Sequence, residues 1–255
     1  NARLASIAAT SMSVVRREDI LGYETLLVDK QDGVATITLN RPAKRNAMNP
    51  QLHRDMTAVL AALRDDDEVR SLVITGAGDA FSAGQDLKEY FREPDAGPAI
   101  ARERLNRNNS AWQWRRLMYF PKPTIAMVNG YAVGGGQVLQ VMCDITVAKE
   151  SAVFRQVGPM MGSFDAGYGT WYLEDLVGKK KAKEMWFANP RLSSKEALEI
   201  GLINKVVPDD KLKEETRAFA LEIADRGAFA LASVKAAFNA RHGGVSDMTP
   251  SHPNG

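Results

Sequence analysis

One stretch of the chain, residues 121–144 with the sequence PKPTIAMVNGYAVGGGQVLQVMCD, restricts the fold more than any other. Its first part is a short apolar run between prolines and an Asn129-Gly130 break, which is typical of a buried strand. Three glycines, Gly134 to Gly136, then precede a new apolar segment. A glycine run between a strand and a helix lets backbone N–H groups approach a ligand, and the helix dipole favours negative charge there. The pattern therefore suits an oxyanion, although a tight structural turn explains the glycines alone equally well.

Strand and helix patterns alternate on both sides of that stretch. Residues 24–41 alternate in polarity around Asp32-Gly33, which predicts a β-hairpin. Residues 49–63 place apolar side chains at helical spacing. A strand–helix–strand order is typical of a mainly parallel sheet, so we predict an α/β core with a helical region after it. Further strands are predicted at 71–75, 124–128, 144–148 and 151–154, and further helices at 99–118, 172–177, 180–188, 194–200, 210–226 and 234–241.

Composition narrows the classes of protein. Lys plus Arg number 33 against 31 Asp plus Glu, so no basic surface for nucleic acid is expected. No apolar run approaches the length of a membrane span. The single Cys143 excludes an internal disulfide, which favours a reducing, cytoplasmic location. Residues 1–17 contain no acid and resemble a transit segment in composition, but a flexible leader over 1–22 is our expectation.

Histidine is scarce, and this limits the chemistry. The three histidines, His53, His242 and His252, lie in no motif, which argues against a metal site or a Ser/His/Asp triad. Acid–base chemistry is therefore expected from carboxylates, tyrosines or a bound small molecule.

Three motifs, in order along the chain, resemble one enzyme family. RPAKRNAM at 41–48, AFSAGQDLKEY at 80–90 and NGYAVGGG at 129–136 are together similar to the crotonase (enoyl-CoA hydratase/isomerase) superfamily. The resemblance implies a crotonase-type ββα spiral core over 23–190 and a helical trimerisation region with a short tail over 191–255. It also implies a homotrimer or hexamer and a CoA thioester substrate, without a tightly bound cofactor.

The family shares a device for stabilising a thioester enolate, an oxyanion hole made of two backbone N–H groups. The resemblance assigns these N–H groups to Gln85 and Gly135. It also implies that RPAKRNAM holds the pantetheine and phosphates of CoA, although a solvated basic turn is the alternative. The further residues expected to bind CoA are Lys44, Arg45, Ala47, Ala83, Asp86 and Leu87.

The residues that move protons differ between branches of the family. Hydratases carry one glutamate after the glycine run and a second that maps to Gly158. The loop FRQVGPMMGSFDAGYG at 154–169 contains no glutamate. Addition of water to an enoyl-CoA is therefore disfavoured, because the acid/base pair is missing.

Two narrower resemblances point to different reactions. Residues 86–135 are similar to hydroxycinnamoyl-CoA hydratase-lyases, which would direct Tyr90 at a substrate phenol or carbonyl. The glutamate of those enzymes is missing, however, and their serine is Val138 here. From 134 to 239, the segments QVGP, MGSFDAGYGT and GKKKAKEMWF are similar to 1,4-dihydroxy-2-naphthoyl-CoA synthases and 2-ketocyclohexanecarboxyl-CoA hydrolases. Those enzymes close or open a ring at the bond between an α-carbon and a carbonyl carbon.

The second of these resemblances supplies candidate catalytic groups. It implies that Asp165 is the acid/base and that Ser163 bonds a substrate oxygen, although Asp165 alone is also explained as the cap of a turn. It further implies that Gln156, Gly158 and Trp186 bind bicarbonate in place of a carboxylate, unless Trp186 is simply a core residue.

We therefore predict an acyl-CoA enzyme that acts on a C–C bond, most simply by hydrolytic ring opening of a cyclic β-ketoacyl-CoA. The alternatives are ring closure of the naphthoyl-CoA synthase type, hydroxycinnamoyl-CoA hydratase-lyase activity, and non-catalytic binding of acyl-CoA.

Overall fold

The computed structural model describes residues 22–92, 97, 112–163 and 169–243. The strands are β1 (Leu26–Gln31), β2 (Val34–Leu39), β3 (Ser71–Gly76), β4 (Ala80–Ser82), β5 (Thr124–Val128), β6 (Tyr131–Val133), β7 (Ile145–Lys149), β8 (Val153–Arg155), β9 (Leu192–Ser193) and β10 (Lys205–Val207). The α-helices are α1 (Pro50–Arg64), α2 (Gly135–Met142), α3 (Trp171–Val177), α4 (Lys179–Ala188), α5 (Ser194–Glu199), α6 (Leu212–Ala224) and α7 (Ala228–Gly243). Two short π-helices cover Leu87–Arg92 and Trp112–Leu117.

The larger sheet has six strands in the order β1-β2-β3-β5-β7-β10. β1 and β2 form the antiparallel hairpin, with Leu26 opposite Leu39. Every other neighbouring pair is parallel. All residues of β3 and β5 are buried, as expected for the central strands of a parallel sheet covered on both faces.

The smaller sheet has four strands in the order β4-β6-β8-β9. β4, β6 and β8 are parallel, whereas β9 is antiparallel to β8. The chain thus passes three times from the larger sheet to the smaller one, through β3–β4, β5–β6 and β7–β8. This is a mixed α/β spiral, as the sequence predicts.

Helices cover the larger sheet on both faces. The apolar stripe of α1, which includes Leu52, Met56 and Leu60, belongs to the main core together with Ile37 and Ile74. A second cluster lies on the opposite face, where α6 packs over β2, β3, β5 and β7. Among the described residues, no helix has the length and apolarity needed to cross a lipid bilayer.

Most predicted elements agree with the structure within two residues at each end, but α7 begins at Ala228 rather than at the predicted residue 234. The glycine run is itself the start of a helix, because α2 begins at Gly135 rather than at Val138. In the smaller sheet β8 was predicted, at 151–154, but β4, β6 and β9 were not, since they are only two or three residues long. The helix predicted at 99–118 lies largely outside the described residues, and its described end is a π-helix. The predicted leader also lies outside them, apart from Gly22, and the domain bounds stay predictions.

Candidate active site

Two neighbouring strands of the smaller sheet end at the same edge, and each leads to one of the predicted N–H donors. β4 and β6 are parallel, with Ser82 opposite Ala132. The chain that leaves β4 continues to Gln85, and the chain that leaves β6 continues to Gly135. Parallel strands direct their carboxyl ends to one edge, so two donors far apart in sequence become neighbours in space.

The backbone around Gln85 is held from one side by Met48. The Met48 N–H donates to the Gly84 carbonyl at 2.7 Å, and the Asp86 N–H donates to the Met48 carbonyl at 2.9 Å. These two bonds form a parallel bridge centred on Gln85. Successive N–H groups of an extended segment point to opposite sides, so the Gln85 N–H points away from Met48.

The second donor lies beside the first. A methyl group added to Gly135 would be 3.4 Å from the Gln85 nitrogen. Gly135 is also the first residue of α2, where N–H groups have no partner within the helix and the dipole is positive. Within the described part of the chain, neither N–H donates a backbone or side-chain hydrogen bond, and both residues are only partly buried. The arrangement can therefore hold one oxygen atom that carries negative charge.

Glycines make this close approach possible. Gly84 has a φ of +91°, and a Cβ there would lie 2.8 Å from both the Gly135 nitrogen and the Val133 carbonyl oxygen. A Cβ on Gly136 would lie only 2.1 Å from the Ser82 carbonyl oxygen. These glycines thus let the segments after β4 and β6 lie close together, whereas the approach of a ligand to their N–H groups stays a prediction.

A polar cluster fixes the chain just after Gln85. The Arg41 guanidinium bonds the Ala47 carbonyl at 2.5 Å, the Asp86 carboxylate at 3.1 Å and the Glu89 carboxylate at 2.9 Å. Burial alone would raise the pKa of Asp86, but the Glu89 N–H and Arg41 lower it below its ordinary value. Asp86, predicted to bind CoA, is thus a buried anion that joins the RPAKRNAM segment to the segment after β4.

Asn46 makes a second connection between these segments. Its side chain donates to the carbonyls of Ala77 and Ala80, each at 2.8 Å, and accepts from the Arg41 N–H at 3.0 Å. Its φ is +54°, in the left-handed region that asparagine tolerates. Asn46 is completely buried, so it is part of the scaffold of the site rather than a ligand contact.

The other residues predicted to bind CoA lie on the outside of this scaffold. Lys44 and Arg45 are exposed, and the Arg45 guanidinium carbon is 5.8 Å from the centre of the Tyr131 ring. The Ala83 N–H donates to the Arg45 carbonyl at 2.9 Å, so the basic turn is bound directly to the segment that carries Gln85. Leu87 is exposed as well.

The position at which hydratases carry their second glutamate, Gly158, leaves no room for a side chain. Val138, shortly after the glycine run, is buried in the apolar core. A Cβ on Gly158 would lie 2.7 Å from the Trp186 ring and 3.0 Å from the Ser163 carbonyl oxygen. Gly158 therefore has no space for a glutamate.

Gln156, Gly158 and Trp186 were predicted to bind bicarbonate, but the Trp186 indole N–H already has a hydrogen-bond partner. The Trp186 indole N–H donates to the Gly169 carbonyl at 2.6 Å, and its ring packs on Gly158. The Gln156 Nε2 is buried without a hydrogen-bond partner in the part of the chain that the structure describes. The Trp186 N–H is therefore bound to a main-chain carbonyl in this structure, and bicarbonate binding by these residues stays a prediction.

The structure locates two of the three remaining catalytic candidates. Tyr90 is half-buried in the π-helix after Asp86, and its ring centre is 5.4 Å from that of His53. The Ser163 N–H donates to the Gly158 carbonyl at 2.8 Å, which places Ser163 beside one of the residues predicted to bind bicarbonate. Asp165 lies outside the described residues.

Two residues near the donor pair were missed by the sequence analysis. His53, on α1, is fully buried and bonds the Gln85 side chain at 2.8 Å, and the Trp112 indole N–H donates to its other ring nitrogen at 2.8 Å. No local motif could have revealed them, because the three residues come from separate segments of the chain.

Comparison with known proteins finds one matching family model and similar solved structures. The family model described as enoyl-CoA hydratase/isomerase matches residues 29–248. An enoyl-CoA hydratase from Bacillus anthracis has 30% sequence identity and a TM-score of 0.79, with 88% of each chain covered.

Two further solved structures extend this likeness. DspI from Pseudomonas aeruginosa shares 30% identity with a TM-score of 0.78, covering 88% of this chain and 90% of that one. An enoyl-CoA hydratase from Mycobacterium avium subsp. paratuberculosis K-10 shares 28% identity with a TM-score of 0.73, covering 86% of this chain and 85% of that one.

Proposed function

Because the chain belongs to the enoyl-CoA hydratase/isomerase (crotonase) family, we propose that it is an acyl-CoA enzyme that breaks a C–C bond through a thioester enolate. Its substrate is a cyclic β-ketoacyl-CoA, which it opens by hydrolysis. One observation supports this most: the N–H groups of Gln85 and Gly135 lie side by side with no hydrogen-bond partner among the described residues, while Gly158, the position of the second hydratase glutamate, leaves no space for a side chain.

The reaction balances with one water and no oxidant. Hydroxide derived from water adds to the ring ketone carbon. The bond from that carbon to the α-carbon then breaks, which leaves a carboxylic acid at one end of the opened chain and an enolate at the thioester end. The enolate oxygen accepts hydrogen bonds from Gln85 and Gly135, and a proton added to the α-carbon completes the reaction. Each preorganised donor contributes roughly 3 kcal/mol to lowering such a barrier.

The proton-transfer groups in this proposal rest on the family pattern. Asp165 is the acid/base, and Ser163 or Tyr90 polarises the ring ketone. Replacing Asp165 with Asn should abolish turnover and leave CoA affinity unchanged, measured by calorimetry. Bicarbonate as a further component stays a prediction, tested by running the same assays with and without added bicarbonate.

Ring closure is the second candidate, because it forms the same bond through the same enolate. A single panel separates these reactions: purified protein is given 2-ketocyclohexanecarboxyl-CoA, o-succinylbenzoyl-CoA and feruloyl-CoA in parallel, and products are identified by mass spectrometry. Turnover of the first thioester is the expected result. Turnover of the second alone would favour ring closure, and hydration of feruloyl-CoA alone would favour a hydratase-lyase. Binding of all three without turnover would identify a non-catalytic acyl-CoA binder.

A further inference from the structure

The side chain of Gln85 is anchored even though only its backbone N–H is assigned a role in catalysis. Its Oε1 lies 2.8 Å from Nε2 of His53. His53 is fully buried on α1, and its Nδ1 lies 2.8 Å from Nε1 of Trp112. Gln85, His53 and Trp112 therefore form a chain of hydrogen bonds that ends at the residue carrying the first donor.

The direction of this chain is fixed by Trp112. An indole N–H can only donate, so Nδ1 of His53 must accept and carries no proton. The proton of the neutral ring is then on Nε2, which donates to Oε1 of Gln85. The same pair of bonds fixes the orientation of the Gln85 amide group, since its nitrogen could not accept from Nε2–H.

The segment that carries Gln85 needs such an anchor. Gly84 precedes it at a φ of +91° and has no side chain to restrict rotation of the Gly84–Gln85 peptide. The two bonds to Met48 hold the backbone on one side only. The His53 bond holds Gln85 at its side chain, so the peptide that carries the N–H is fixed at its Cα as well.

We propose that His53 is a positioning residue, which holds the Gln85 N–H in line for the thioester oxygen through the Trp112–His53–Gln85 hydrogen bonds. The inference rests on the proposed role of the Gln85 N–H as an enolate donor. Small displacements of a catalytic group reduce rates steeply, by about a hundredfold for 1 Å. His53 itself does not contact the substrate in this account.

The test uses two variants that keep side-chain size. His53→Phe removes both hydrogen bonds of the ring, and Gln85→Met removes the acceptor while leaving the backbone N–H. The probe is a cinnamoyl-CoA with a para-dimethylamino group, whose absorption band moves to the red when its thioester carbonyl is polarised. Both variants should bind the probe with unchanged affinity and show a smaller red shift than the unmodified protein. With a thioester that the protein turns over, kcat of both variants should fall about tenfold to a hundredfold with little change in KM.

The control variant is Asp55→Asn on the same helix. Asp55 is also buried, but it accepts from Thr25 and Gln51, away from Gln85. The Asp55→Asn substitution should lower the melting temperature without changing the red shift. This result would distinguish the positioning role of His53 from a general loss of stability. The double variant His53→Phe/Gln85→Met should match the single ones, because both break the same bond.

The possible failures are distinguishable. A normal red shift in the unmodified protein that persists in both variants would overturn the role of His53 and leave the enolate donors intact. No red shift in the unmodified protein would overturn the donor pair itself, and the inference with it.

Discussion

Gly135 is the residue at which one methyl group should change the chemistry most. A Cβ there would lie 3.4 Å from the Gln85 nitrogen and 3.0 Å from the flexible end of the Met48 side chain. By contrast, a Cβ on Gly136 would meet a backbone oxygen at 2.1 Å, which a folded chain could not relieve. Gly135 can therefore be altered without unfolding the protein, but Gly136 cannot.

We expect Gly135→Ala to lower kcat/KM by about 100-fold, because the added methyl group would crowd the oxygen that both N–H groups hold and move it out of hydrogen-bonding position. Its melting temperature should stay close to that of the unmodified protein. Gly227→Ala is the matched control, because its nearest neighbour would be the Ala230 side chain at 3.8 Å. Steady-state kinetics with a thioester that the protein turns over measures the effect, and full activity in Gly135→Ala would show that the substrate oxygen does not lie beside Gly135.

Asp86 provides a prediction about pH at the same scale. Its pKa is lowered in the folded protein despite burial, because the Glu89 N–H and Arg41 stabilise the carboxylate. A carboxyl group whose pKa is lower in the folded than in the unfolded protein stabilises the fold at pH values above its unfolded pKa of about 4. This stabilisation is lost as the pH falls through the pKa of the folded protein.

Asp86→Asn should therefore reduce the free energy of unfolding at pH 7 by about 2 kcal/mol. The difference from the unmodified protein should shrink as the pH falls below about 4, where the unmodified carboxyl also becomes protonated. Urea unfolding across pH 7 to 3 measures this. The exposed Asp67→Asn is the control, and a difference between Asp86→Asn and the unmodified protein that is independent of pH would contradict the argument.

At the scale of elements, the site depends on how the end of β3 is connected to the RPAKRNAM segment. The Asn46 side chain alone bonds the carbonyls of Ala77 and Ala80 and the N–H of Arg41. These bonds hold the start of β4, and β4 carries the chain to Gln85.

Asn46→Ala should therefore destabilise the protein by about 3 kcal/mol, since three backbone groups lose a hydrogen bond and alanine is strained at positive φ. Asn49→Ala, which removes the cap of α1 and a bond to Glu89, should cost only about 1 kcal/mol. Chemical denaturation of both variants tests the ranking. Equal losses would show that Asn46 is no more than a cap-like contact.

The sequence predicted the elements with strong periodicity and missed those without it. The hairpin and α1 could be predicted from alternation and helical spacing, because each buries one face against a core. β4 and β6 could not, since three residues carry no recognisable period. Both predicted donors follow these short strands, so only the family resemblance predicted that they lie close together. The parallel pairing of β4 and β6 gives the physical reason.

The Gln85–His53–Trp112 chain marks the limit of sequence reasoning about the site. A lone histidine within an apolar helical stripe is usually a core residue, and nothing near His53 in sequence indicates its partners. Only the packing of α1 against the π-helix Trp112–Leu117 brings the indole to the imidazole. Hydrogen bonds between distant segments leave no pattern in a single sequence.

At the scale of the whole molecule, helices α4 and α7 carry large apolar side chains that are exposed in the single chain. Phe187 on α4 and Phe238 on α7 are 76% and 75% exposed, and Val234 lies one turn before Phe238. Exposed apolar surface of this kind is typical of an interface between proteins. We expect other copies of this chain to cover it in a homotrimer or hexamer.

Sedimentation velocity should therefore give a mass of three or six chains, and Phe238→Asp should shift it toward the monomer. Lys213→Asp, an exposed change on α6, is the control and should leave the assembly unchanged. A monomeric unmodified protein would contradict the predicted assembly.

The central claim concerns one oxygen atom and two backbone nitrogens. A crystal structure with a stable CoA thioester analogue, in which a methylene replaces the thioester sulfur, tests it most directly. The account predicts that the analogue's carbonyl oxygen lies within about 3.2 Å of both the Gln85 and the Gly135 nitrogen. A well-ordered analogue whose carbonyl oxygen lies beyond hydrogen-bonding distance of either nitrogen would contradict it.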